Sequence, residues 1–135
     1  SKSRNNQKKK NMQIEVSIGE IVDKLSILQI KLENITDEDK LVNIKKEFNY
    51  LYSIVFKDLK IQLEDYQPLL DINKELWGIE DDIRDEERAK RFGERFIEVA
   101  RAVYFTNDKR SQIKKDINIK YGSEFVEEKS YQDYT

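Results

Sequence analysis

Neither cysteine nor histidine occurs among the 135 residues, and each absence removes a body of chemistry. Without cysteine there is no disulfide framework, no thiolate zinc site and no thiol nucleophile. Without histidine there is no Ser-His-Asp triad, no imidazole acid–base and little to hold a transition metal. Any metal would rest on oxygen donors, which narrows it to magnesium, manganese or calcium. Glycine is scarce: the four, at positions 19, 78, 93 and 122, build neither a phosphate-binding loop nor a dinucleotide fingerprint. No apolar run approaches the length of a membrane span, and the N-terminal stretch lacks the apolar segment of a secretory signal. A cytoplasmic protein is expected.

Charge is abundant. Asp, Glu, Lys and Arg make up 39% of the chain, yet the net charge is only −2. The signs are unevenly placed. Lys2, Arg4, Lys8, Lys9 and Lys10 lie in a leader without acids, and the remainder carries 20 basic and 27 acidic groups. The acidic body argues against nucleic-acid binding by the folded part. Residues 1–11 are polar and aperiodic, and are expected to be a disordered basic leader or a tag remnant. Structured patterning begins just after Met12, so residues 12–135 are expected to form one helical domain.

Four helices are expected, assembled as an antiparallel four-helix, bundle-like all-α domain with extended N- and C-terminal segments. Ser17 looks like an N-cap, with Glu20 completing a capping box. Helix 1 should run from Ile18 to Asn34, with a seam of Ile21, Leu25, Leu28, Leu32 and Ile35 at heptad spacing. Thr36 is the next cap, and helix 2 should run from Asp37 to Asp65 along Leu41, Ile44, Phe48, Leu51, Val55 and Leu59. Pro68, the only proline, suits the first turn of helix 3, and Gly93 suits its C-terminal cap. Helix 4 should run from Glu94 to Tyr121 and stop at Gly122. Ile14–Val16 and Phe125–Glu127 are expected to be extended, pairing as a small ribbon. Gly78 lies inside helix 3, on an exposed face. Helix 2 adds Tyr50, Tyr52, Ile54 and Phe56 to its seam, so apolar groups nearly surround it; such a helix is buried on most sides. Either the C-terminal tyrosines cover it or, as expected first, a homodimer through helix 2 supplies the missing neighbours.

The least ordinary feature is a polar gap in the seam of helix 4, where Thr106, Asn107 and Arg110 interrupt the apolar positions. If the hairpin of helices 3 and 4 turns near Phe92, Glu80 falls opposite Arg101 and Tyr104, and Trp77 opposite Asn107. A buried polar centre of Glu80, Arg84, Arg101, Tyr104 and Asn107 is therefore expected. On that expectation Glu80→Ala lowers stability far more than Glu87→Ala. Two readings of the centre stay open: a structural network fixing helix register, or a ligand site. A second pattern is Glu20-x-x-Asp23 on helix 1 with Asp82-x-x-Asp85 on helix 3. Facing carboxylate pairs of this spacing bind magnesium in all-α nucleotide pyrophosphohydrolases, although acids at such spacing also arise readily by chance in so acidic a chain.

Three segments resemble an uncharacterised family of short bacterial and phage proteins classed as a domain of unknown function. They are VSIGEIVDKLSILQIKLENI, LWGIEDDIRDEERAKRFGERFIEVARAVYFTNDKR and the terminal VEEKSY. The resemblance covers nearly everything from Met12 onward, with little of it between Asn43 and Gln67. It implies no activity, but it marks Trp77, Glu80, Asp81, Arg84, Arg101, Tyr104, Asn107, Asp108 and Arg110 as the residues to watch. The function expected first is a non-catalytic helical binding or assembly module that needs no cofactor. The alternative is a magnesium-dependent hydrolase of a phosphorylated small molecule.

Overall fold

The computed structural model describes residues 9–130 and 133–134. Four α-helices follow one another: α1 (Ile18–Asn34), α2 (Glu38–Ser53), α3 (Leu63–Arg88) and α4 (Glu94–Lys120). A single π-helical turn, Ile54–Asp58, extends α2. No strand occurs among the described residues, so Ile14–Val16 and Phe125–Glu127 are non-helical but form no ribbon. The disorder expected of residues 1–11 falls mostly outside the described residues; Lys9 to Asn11 are exposed and non-helical.

α1 is the hub. It packs against α2, α3 and α4, whereas the backbone of α2 closely approaches no helix but α1 among the described residues. The heptad seam read from the sequence was therefore too narrow. Val22 and Leu25 are fully buried and Ile30 nearly so, because neighbours on several sides cover α1 well beyond its seam. These side chains meet Val55, Ile61, Tyr66, Leu69, Leu70, Ile72 and Ile117 in one core. Tyr66 is buried too, with Phe56 edge-on at 5.3 Å, and its hydroxyl donates to Gln29 Oε1 at 2.7 Å.

α3 and α4 form a long antiparallel hairpin, pinned by Lys120–Asp65 (2.8 Å) at its base and Arg95–Asp82 (3.4 Å) near its turn. With 26 and 27 residues, each helix is about 40 Å long against about 26 Å for α1. The hairpin therefore outruns α1, and no residue from Gly78 to Glu98 is buried. Gly78 faces open space, as expected of an exposed position.

Several helix ends differ from the expected ones. Asp37 rather than Thr36 caps α2, accepting from the amides of Asp39 and Lys40. α2 stops well short of Asp65 because Lys60 turns into the left-handed region at φ 55. There Ile61 donates to the Val55 carbonyl at 3.0 Å and buries its side chain. α3 then begins at Leu63, so Pro68 lies inside it, with its ring on the exposed face. Lys90, also at φ 55, ends α3, with Lys90 and Arg91 donating to the carbonyls of Glu87 and Glu86. That is a Schellman closure made without glycine. Gly93 instead precedes α4 as its N-cap. Gly122, at φ 69, ends α4 as expected, and Ser123 donates to the Asn118 carbonyl at 2.8 Å.

Beyond Gly122 the chain doubles back along α4. Glu127 reaches Lys114, Glu128 reaches Lys115, and Tyr134 reaches Asp108. Of the expected extended C-terminal segment, Tyr131, Gln132 and Thr135 lie outside the described residues.

Candidate functional site

The polar gap of α4 has its partner on α1, not on α3. Asp23 is 3% exposed, one step from Val22 and two from Leu25 in the most buried stretch of the chain. Its carboxylate accepts from Arg110 through Nε at 3.0 Å and also through Nη2, a two-pronged fit that a guanidinium makes and an ammonium does not. Asn73 of α3 donates through Nδ2 to Asp23 at 2.9 Å and to the Ser26 hydroxyl at 2.7 Å; that hydroxyl in turn donates to the Asp23 carbonyl. Arg110 Nη1 donates to Asn107 Oδ1 at 3.1 Å. One turn further along α4, the buried Lys114 ammonium bonds Glu20 and lies 3.3 Å from Glu127 of the C-terminal segment. No buried side-chain nitrogen or oxygen among the described residues lacks a partner. Three helices and the tail thus share one satisfied network, the condition under which buried polar groups fix a single arrangement.

The electrostatics follow from the contacts. The hydrogen bond to Asp23 holds the Arg110 guanidinium above its usual range, outweighing burial. For Lys114, burial is the largest influence and opposes the charge. The Glu20 hydrogen bond and the Asp23 and Glu20 charges outweigh it, so the ammonium is held above its ordinary value.

Gly19 lets the helices come this close. A Cβ there would lie 2.7 Å from the Lys114 carbonyl oxygen. The Gly19 amide donates to Asn118 Oδ1 at 2.6 Å and the Ile18 amide to Ser123 Oγ at 3.1 Å. Ser17 caps the Glu20 amide as expected, but the Glu20 carboxylate goes to Lys114 instead of closing a capping box.

Beside this network α1, α3 and α4 enclose a cleft of about 520 Å³. Its apolar floor is Ile27, Ile30, Leu76 and Val103, and Trp77 stands in its wall. Around them are Asn73, Glu80, Asp81, Arg84, Asn107 and Arg110. Of the nine residues marked in the sequence, the structure brings six together here: Trp77, Glu80, Asp81, Arg84, Asn107 and Arg110. Trp77 and Asn107 share the cleft, as the expected hairpin register required.

The other three lie elsewhere. Arg101 is exposed, over the Phe105 ring at 5.6 Å. Tyr104 and Phe105 each pack against Tyr134 at 5.3 Å, and Asp108 accepts from the Tyr134 hydroxyl. Tyr104, Phe105 and Asp108 form the face on which Tyr134 lies. The buried centre expected from Glu80, Arg84, Arg101, Tyr104 and Asn107 is therefore not formed. Glu80 and Arg84 make an i,i+4 pair at 2.8 Å with side chains 41% and 62% exposed, and Arg101 does not reach them.

The carboxylate pairs expected to hold magnesium do not face one another. Glu20 and Asp23 end on Lys114 and Arg110, while Asp82 and Asp85 form exposed pairs with Arg95 and Arg88. Among the described residues no group of three or more acidic side chains is arranged to hold a metal ion.

Asn73, Ser26, Lys114 and Glu127 escaped the sequence reading. The available signal was Asp23 and Ser26, three apart and flanked by Val22 and Leu25. Polar residues on a core-facing stretch require partners.

No helix among the described residues is long and apolar enough to cross a membrane. No curated protein and no solved structure matches the chain. A family model matches residues 12–134, a span that contains the cleft, the buried network and the doubled-back tail, and the chain belongs to the Family of unknown function (DUF6165).

Proposed function

We propose that this protein is a non-catalytic helical binding module and that the cleft between α1, α3 and α4 takes its ligand. One observation carries the reading: an apolar floor lies beneath polar groups of both signs in a volume of about 520 Å³, the form and size of small-molecule sites. Asn73 and Arg110 are held by Asp23, so part of the rim is fixed before any ligand arrives. The lining contains no serine, threonine, tyrosine or lysine, so no hydroxyl or amine nucleophile stands in it. The magnesium-hydrolase alternative has less support, because the carboxylates it needs are engaged by arginine and lysine. On this reading the protein works in a bacterial or phage-infected cytoplasm and needs no cofactor, and its acidic body does not seek nucleic acid.

A thermal-shift screen with nucleotides, sugar nucleotides, amines and divalent ions tests the proposal, since a ligand that prefers the folded state raises the melting temperature. The expected hit loses its effect in Trp77→Leu. A stabilising ligand indifferent to Trp77→Leu, or a divalent ion acting through Glu20 and Asp23, contradicts it.

Self-association is a second part of the reading, favoured by α2. None of its residues from Glu38 to Ser53 is buried, and Val42, Tyr50 and Tyr52 are 66%, 67% and 46% exposed. A second copy covering α2 gives a homodimer. A monomeric mass in sedimentation at high concentration contradicts that.

A further inference from the structure

We propose that the cleft selects an organic cation, a protonated amine carried on an apolar body. The inference rests on the cleft being the binding site and concerns which ligand enters it.

Four charged side chains line the cleft, and three are already engaged. Glu80 and Arg84 neutralise one another at 2.8 Å. Arg110 is held by the buried Asp23 carboxylate through two nitrogens. Asp81 makes no hydrogen bond or ion pair with any described residue. Counting Asp23 behind Arg110, the cleft carries one uncompensated negative charge, and it sits at the mouth, where Asp81 is exposed. A ligand anion would meet that charge without a free cation to offset it. A ligand cation meets an available carboxylate.

Trp77 adds a second attraction. It lies four residues before Asp81, so the two side chains stand on one face of α3, a turn apart. An ammonium beside the indole face is drawn by the ring quadrupole, for which tryptophan is the best of the aromatic residues. The carboxylate and the ring therefore serve the same positive group. Below them Ile27, Ile30, Leu76 and Val103 offer no hydrogen bonds and suit a hydrocarbon chain or ring. Because Asp81 remains at the exposed rim, the ligand's charge stays partly in water. The desolvation penalty of a buried ion pair is thus avoided.

Trp77 is the only tryptophan of the chain, so its fluorescence reports on the cleft alone. The full chain is titrated in phosphate buffer with hexylammonium, hexanoate and hexanol, three probes alike in length and different in charge. Hexylammonium is expected to give a saturable change, with a Kd at least tenfold below that of hexanoate. Asp81→Asn weakens it at least fivefold, and Arg84→Gln, which frees the Glu80 carboxylate, tightens it. Both substitutions are at exposed positions, and circular dichroism checks that the helices persist. Hexanoate binding as tightly as hexylammonium, or an unchanged hexylammonium Kd in Asp81→Asn, overturns the choice of charge and leaves the cleft standing as a site. A lack of saturable response to all three probes overturns the inference together with the cleft as a site for such ligands.

Discussion

Asp23 is the only buried acidic residue among those described. It is buried and holds Arg110 and Asn73 at once. Removing it leaves a half-buried guanidinium without its counter-ion. Breaking one side of a buried pair typically costs about 3–5 kcal/mol. Glu80 is the instructive contrast: the sequence placed it at the heart of a buried centre, but its pair with Arg84 is a solvated helix pair of about 0.3–0.5 kcal/mol. Asp23→Ala is therefore expected to lower the urea midpoint sharply and Glu80→Ala hardly at all. Equal losses would show the Asp23 network to be dispensable. Lys114 gives a pH signature. Its folded pKa is raised above the ordinary 10.5, so its stabilising contribution is complete below that value and is lost as pH rises through the folded one. Alkaline deprotonation of the buried Tyr66 and of Lys120 acts in wild type and variant alike. Thermal melts from pH 9 to 12 should show a shallower alkaline decline for Lys114→Met than for wild type. Parallel curves would mean that Lys114 draws no net stabilisation from its partners.

At the scale of elements, conventional signals were legible and unconventional ones were not. Ser17 and Gly122 announced the start of α1 and the end of α4, because a hydroxyl cap and a left-handed glycine are the usual chemistry there. Lys60 and Lys90 end helices in the same left-handed conformation, but nothing in a lysine advertises it, so the apolar periodicity runs on past the terminus of α2 toward Asp65. The polar gap of α4 was legible as a demand for partners. Its answer on α1 was not, since helical periodicity shows which face is polar but not which helix covers it. The role of Gly19 is hidden in the sequence for the same reason: its constraint is a neighbouring backbone 2.7 Å from where a Cβ would be. In an isolated helix Gly19→Ala would gain about 1 kcal/mol. Here it forces α1 and α4 apart and disturbs the bond to Asn118. Overpacking of this kind typically costs about 1–3 kcal/mol, so the variant is expected to melt below wild type. A higher melting temperature would show that the α1–α4 contact yields without cost.

Across the whole molecule, α1, α3 and α4 form a braced wedge, the backbone of α2 approaches only that of α1 among the described helices, and the tail returns to tie Lys114 through Glu127. The braced wedge frames the cleft, which gathers six of the nine residues marked from the sequence, while Tyr104 and Asp108 hold the returning tail and Arg101 lies apart. On the proposed reading, this cleft is where the protein meets its ligand. The single indole of Trp77 tests it most directly by proton–nitrogen NMR of the uniformly labelled full chain. A ligand that stabilises the protein should shift the one indole signal together with the side-chain amides of Asn73 and Asn107. A stabilising ligand that leaves those signals in place and moves only residues of α2 or the tail would contradict the account.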